Sequence, residues 1–219
     1  MTKKTWIKDP GSAITHFGGF LMALFASIPL LIKAAGGSNL THTIALAVYA
    51  LSLILLYAAS TSYHTFNLSE KGNKRLKKWD HIMIFILIAG TYTPICLVLL
   101  ADSIGYLMLA IIWTIAVLGI FLKAFWVYCP KWVSSVLYIA MGWVCIFAIS
   151  QIFRAMPTGA FTLLVVGGVL YTIGGVLYAL KLKALNNKFK YFGSHEIFHL
   201  FVIGGSVCHF ILMYIFVLP

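Results

Sequence analysis

The sequence predicts an all-α, polytopic membrane protein with seven transmembrane helices and a cytoplasmic N-terminus, and three observations carry that prediction. The first is composition: 62% of the residues are hydrophobic and only 10% charged, whereas about a quarter of the residues in a soluble domain are charged. The second is that the apolar residues fall into seven runs, each long enough to cross about 30 Å of hydrocarbon. The third is the placement of Lys and Arg. Assigned to alternate sides of seven spans, fourteen of the sixteen basic residues share the side of the N-terminus, which puts that end in the cytoplasm and the C-terminus outside. One helix more or fewer would scramble this split. The net charge of +11 therefore speaks of topology and anionic headgroups, and nucleic acid is not an expected partner.

In chain order, the tail carries Lys3, Lys4 and Lys8 but no small-residue cleavage site, so the first run is read as a retained helix and not a cleaved signal. The spans are expected at 13–32, 41–63, 82–100, 105–125, 132–153, 158–180 and 197–218. Only Ala101 to Ile104 separate the third from the fourth, which predicts a tight helical hairpin. The second and sixth connections are basic (Lys71, Lys74, Arg75, Lys77, Lys78; Lys181, Lys183, Lys188, Lys190) and read as topology signals. Connections this short leave no room for a soluble domain, so residues 1–219 form one domain. Trp6, Trp79 and Trp132 stand near span ends, where indoles anchor at the interface. The pairs Gly167-Gly168 and Gly174-Gly175 suit close helix contact. Cys96, Cys129, Cys145 and Cys208 are far apart and make no CxxC, so neither a disulfide framework nor a cysteine metal site is indicated.

The ionisable residues collect at one depth. On this topology the first span starts inside near His16, the second ends inside at Ser60 to His64, the third starts inside at Asp80-His81, and the seventh starts inside at His195 and His199. Polar groups in apolar helices need partners. His195 and His199 lie about 40° apart on one face, one turn apart, and Ser60 and His64 share a face in the same way. His64, His195 and His199 fit three corners of a tetrahedron around zinc, with the fourth corner left for water. Asp80 is placed to act on that water as a base, and Ser60 to hydrogen-bond substrate or a developing oxyanion. The alternatives stay open: interhelical hydrogen bonds for the histidines, neutralisation of Lys77 and Lys78 for Asp80, packing for Ser60, and a lipid-interface or structural place for His81.

His195-Glu196-x-x-His199 reads literally as a metalloprotease signature with Glu196 as base, which would make an intramembrane zinc protease. The longer protease pattern wants a histidine where Gly205 stands, His209 comes too late, and no carboxylate follows Glu196.

Taken together, Ser60-x-x-x-His64, Lys78-Trp79-Asp80 leading into Ala89-Gly90-Thr91-Tyr92-Thr93-Pro94, and Ser194-His195-x-x-x-His199 followed by Cys208-His209-Phe210 resemble the hemolysin III family. That family is the bacterial branch of the progestin and adipoQ receptor superfamily, and the resemblance covers essentially the whole chain. It implies a multi-pass protein of the bacterial inner membrane, with zinc held by His64, His195 and His199, Asp80 near the metal-bound water and Ser60 beside it. The superfamily is grouped with alkaline ceramidases, which implies a zinc-dependent hydrolase of lipid amide or ester bonds and a role in lipid homeostasis. The partner would then be a ceramide-like or other acyl lipid. A non-enzymatic regulator of membrane fluidity with structural zinc, and a cytolysin as the family name suggests, are the other readings. The family does not restrict the position of Glu196 to Glu, which argues against its being the base. The acidic pair common before the first helix is reduced here to Asp9 followed by Pro10.

Overall fold

The computed structural model describes residues 7–180 and 192–218. Lys3, Lys4 and Trp6 of the tail and Lys181, Lys183, Lys188 and Lys190 of the sixth connection lie outside the described residues. Among those described, seven helices are long and apolar enough to cross a membrane: α1 Pro10–Gly36, α2 Leu40–Thr65, α3 Glu70–Leu100, α4 Ser103–Phe125, α5 Lys131–Ala155, α6 Thr158–Leu180 and α7 Ser194–Val217. No strand occurs among them.

Helix α1 starts on Pro10, whose fixed φ and missing N–H suit the first helical turn. Its side chains divide by face. Ala13, His16, Gly19, Ala23, Ser27, Leu30 and Ala34 are buried, while Ile14, Phe17, Phe25, Ile28 and Ile32 are exposed. Small and polar groups turn inward and large apolar ones outward, the reverse of a soluble helix and the pattern of a lipid-facing one.

Helix α3 begins twelve residues before the expected span. Ser69 caps it through a bond from the Gly72 N–H at 3.3 Å, and Glu70 lies in the first turn, where a negative charge suits the helix dipole. The basic residues that looked like a loop are its polar first turns. This extension carries Lys77 and Asp80 on one continuous helix. The α3–α4 hairpin is as tight as expected: Ala101 takes a left-handed conformation (φ 31°) and Asp102 caps α4 by accepting from the Gly105 N–H at 2.8 Å.

Helix α5 is interrupted. Residues Trp143–Ala148 narrow to a 3₁₀ helix before α-helix resumes at Ile149. The change of winding alters the backbone pairing, and Tyr92 of α3 fills in. Its hydroxyl donates to the Gly142 carbonyl (2.7 Å) and accepts from the Cys145 N–H (2.9 Å).

The most extensive packing is between α6 and α7, α1 and α2, and α2 and α3. Helix α1 also meets α7, and α5 meets both α6 and α3, so the helices close around a common interior. Helices α2 and α3 lie deepest, and Leu46, Tyr49, Leu53 and Tyr57 of α2 are sealed from the surface. The glycine pairs of α6 make the close contact expected of them. A Cβ on Gly167 would run into the His209 ring of α7, and one on Gly174 would stand 3.0 Å from the Cβ of Phe201. Trp79 and Trp132 are exposed, consistent with anchoring.

Candidate metal centre

Helix α2 ends, and α1, α3 and α7 begin, on the same side of the bundle. His64 sits in the last turn of α2, His195 in the first turn of α7 and His199 one turn later. His16, Ser60, His64, Asp80 and His199 are buried and His195 half-buried, and all six line one cavity of about 630 Å³.

One ligand atom from each of His64, His195 and His199 lies within 4.8 Å of the others, so these side chains could hold a metal ion. The distance between the Nε2 atoms of His64 and His195 is 3.3 Å. Two nitrogens bound tetrahedrally at about 2.0–2.1 Å from zinc stand roughly 3.3–3.4 Å apart. The third imidazole, His199, brings a ligand atom within 4.8 Å of the other two. The donor set therefore fits a zinc-sized cation.

The outer nitrogens decide which atoms face the centre. His64 Nδ1 lies 3.0 Å from the Asp9 carboxylate, an acceptor only, so Nδ1 carries the proton and Nε2 presents its lone pair. His199 Nδ1 lies 3.0 Å from Thr15 Oγ1. That hydroxyl is also 3.0 Å from the carbonyls of Gly11 and Ser12, which take its only proton, so it accepts from His199. Two of the three imidazoles are thus oriented by neighbours of the kind that position metal-binding histidines.

Asp9 reaches His64 because the residues before α1 cap the end of α2. The Asp9 N–H donates to the His64 carbonyl (2.9 Å) and the Lys8 N–H to that of Thr65 (3.2 Å). These carbonyls belong to the last turn of α2 and have no partner within the helix. Lys8 adds its ammonium to the Tyr63 carbonyl and lies over the Tyr63 ring. The hydrogen bond with His64 holds the Asp9 carboxyl below the usual carboxylate range, against partial burial, with help from the charge of Lys8. Nothing in the sequence connected Asp9 or Thr15 to the histidines, because both act across helices. For Asp9 the signals were that it is among only five acidic residues and that it stands where the resembled family carries an acidic pair.

Asp80 is buried, and the side chains facing its carboxylate are His81, His64 and Ser60. A buried carboxylate persists only with such partners. His81 does not face lipid: its ring is buried, its Nδ1 stands 3.1 Å from Asp80, and Tyr138 donates to its carbonyl at 2.9 Å. The 100° that separates neighbours on a helix is spanned by side-chain reach, because the imidazole turns back onto the carboxylate.

Glu196 has both oxygens occupied, one by the Ser12 hydroxyl of α1 and the other by the Gly193 N–H at 2.7 Å. It closes the first turn of α7 and ties it to α1. His16 comes to the site but supplies no ligand atom. Its ring stacks on His199 with centroids 3.5 Å apart, and its edge meets Tyr57. His209 lies deeper, seated on Gly167 with Nε2 donating to the Leu164 carbonyl at 3.2 Å.

Comparison with known proteins places the chain in a family. Residues 4–210 match the family model described as haemolysin-III related. Hemolysin-3 of Bacillus cereus is 38% identical over 221 aligned residues, covering 100% of this chain and 97% of that protein. The Hemolysin-3 homolog of Bacillus subtilis (strain 168) is 35% identical over 203, covering 93% and 91%. A match over nearly the whole length, to the model and to both relatives, means that this chain belongs to the haemolysin III family.

Proposed function

We propose that this protein is a zinc-dependent hydrolase that cleaves an amide or ester bond of an acyl lipid within the bilayer, and so takes part in lipid homeostasis. The observation that carries the reading is the position of the three-histidine cluster at one end of a large, mostly apolar cavity. Ile84 and Ile88 of α3, Ile139 and Ile152 of α5, and Leu164 and Val165 of α6 line that cavity and suit an acyl chain. His64, His195 and His199 would hold the ion. Zinc, when bound, supplies Lewis acidity toward an acyl carbonyl and toward water. Asp80, buried beside His64, takes a proton from the attacking water and returns it to the leaving group. Ser60, on the face of α2 one turn from His64, donates a hydrogen bond to the carbonyl oxygen as it gains charge. Glu196 has no part in proton transfer, since its oxygens are committed to Ser12 and Gly193. By sequence, fourteen of the sixteen basic residues fall in the tail and the connections assigned to the N-terminal side of the spans, the side on which α1 and α7 begin. The positive-inside rule makes that side cytoplasmic, in the inner membrane of a bacterium.

The deciding experiment is metal analysis of detergent-purified protein joined to a screen of acyl-lipid turnover. About one zinc per chain is expected, falling sharply in His64→Ala, His195→Ala and His199→Ala. Asp80→Asn should keep zinc and lose about 10²–10⁴-fold in turnover. Zinc retained with no turnover of any acyl lipid would leave a structural ion and a non-enzymatic regulator. The name of the Bacillus relatives favours a second reading, cytolysis. Lysis of red cells by purified protein that persists after chelation would support it.

A further inference from the structure

Two lysines in the cavity wall are turned inward. Lys77 and Lys131 are both half-buried and both line the cavity that holds the histidine cluster. Lysines that serve only as topology signals extend outward toward headgroups, and Lys71 on the same helix is exposed. Each of the inward pair lies instead against an aromatic face: Lys77 Nζ is 4.4 Å from the Tyr128 ring centroid, and Lys131 Nζ 4.2 Å from that of Tyr178. The Tyr128 ring holds the Lys77 stem without neutralising its charge. Both cations flank the metal centre. Lys77 is one turn before Asp80 on α3, and Tyr178, under Lys131, packs on His195 with centroids 5.6 Å apart. The carboxylates at this end of the cavity have other commitments: Asp9 to His64, Asp80 to His81, and Glu196 to Ser12 and Gly193. Among the described residues, none lies within ion-pair distance of Lys77.

We infer that Lys77 and Lys131 form a headgroup subsite, and that the lipid taken by this cavity carries an anionic phosphate with no compensating ammonium. This rests on the hydrolase reading for what happens at the metal, and goes beyond it by naming the substrate class. In a glycerophospholipid only a few bonds separate an ester carbonyl from the phosphate, comparable to the rise of about 4.5 Å along the helix from Asp80 to Lys77. A carbonyl held beside the histidines therefore sets the phosphate among the ammonium groups, where charge-assisted hydrogen bonds are strong. A zwitterionic headgroup would bring its own cation against two others.

The test measures retention, which needs no turnover. Full-length protein in neutral detergent is titrated with fluorescent phosphatidylglycerol and with phosphatidylcholine of identical chains. Phosphatidylglycerol is expected to bind about tenfold tighter. The preference should fall away in Lys77→Gln and Lys131→Gln, persist in the exposed control Lys71→Gln, and be largely kept in Lys77→Arg. Equal retention of the two lipids, or a preference untouched by both glutamine variants, would overturn the inference. Displacement of the lipid by millimolar glycerol phosphate would assign the site to a soluble phosphate ligand and also overturn it. Turnover without headgroup preference would remove this subsite and leave the hydrolase. Preference without turnover would keep the subsite and remove the hydrolase.

Discussion

At the scale of single residues, Asp9 and Thr15 make the most direct predictions. A carboxylate or hydroxyl on the outer nitrogen of a metal-binding imidazole fixes its tautomer, and its loss costs about 10–100-fold in metal affinity. Asp9→Asn and Thr15→Val should each weaken zinc by that order in a chelator competition, less than the loss of any one histidine. Affinity unchanged in both would mean that these contacts do not orient ligands. Cys129 offers a second test, away from the centre. Lys123 is fully buried at the end of α4, with Nζ 2.9 Å from Cys129 Sγ and 2.5 Å from Ser134 Oγ. Burial alone would raise the Cys129 thiol, but the hydrogen bonds from Lys123 and Ser134 outweigh it and bring its pKa below the ordinary value. Because the thiolate is the nucleophile, the half-point of its alkylation should lie below that of an ordinary cysteine. With Cys96, Cys145 and Cys208 replaced, Lys123→Met should move that half-point to higher pH. None of these pairs could be read in the sequence, since each depends on which way two helices are rotated.

At the scale of elements, the site depends on how α7 is seated. Its first turn is tied to α1 through Glu196 and Ser12, and its middle presses His209 against Gly167 of α6. Gly167→Ala puts a methyl group into the space of the His209 ring, an overpacking that costs about 1–3 kcal/mol. Thermal unfolding in detergent should show a lowered Tm, whereas Gly18→Ala, with open space around its Cβ, should not. The α6–α7 contact was legible, because paired glycines in an apolar helix have few other uses. The extension of α3 was not, because five basic residues in eight positions resemble a loop until their helical partners are seen. Nor was the 3₁₀ stretch of α5, since the Tyr92 hydroxyl that completes it comes from another helix.

At the scale of the whole molecule, the prediction concerns orientation. With the four native cysteines replaced, Lys71→Cys should be labelled by an impermeant maleimide only from inside, in inverted vesicles, and Ser38→Cys only from outside, in intact cells. The opposite pattern would place the histidine cluster on the outer side and with it the headgroup subsite. The bundle gathers its buried polar groups at one end and leaves large apolar side chains such as Ile14, Phe25, Leu118 and Phe147 on the outside. In a bilayer that exterior meets lipid, so it needs no further partner.

Sequence alone determined the class of protein, the number of spans and the depth at which His16, His64, Asp80, His195 and His199 lie. Hydropathy and charge are read along the bilayer normal, and each helix reports its own depth independently of the others. The tertiary structure alone decided which side chains meet at that depth. It brought Asp9 and Thr15 to the outer nitrogens, turned His81 inward, occupied Glu196, and set Lys77 and Lys131 in the cavity wall. A spanning helix is apolar toward lipid and toward its neighbours alike, so its own sequence says little about its rotation. Rotation is fixed by contacts between helices, and those contacts decide whether three imidazoles converge on one point.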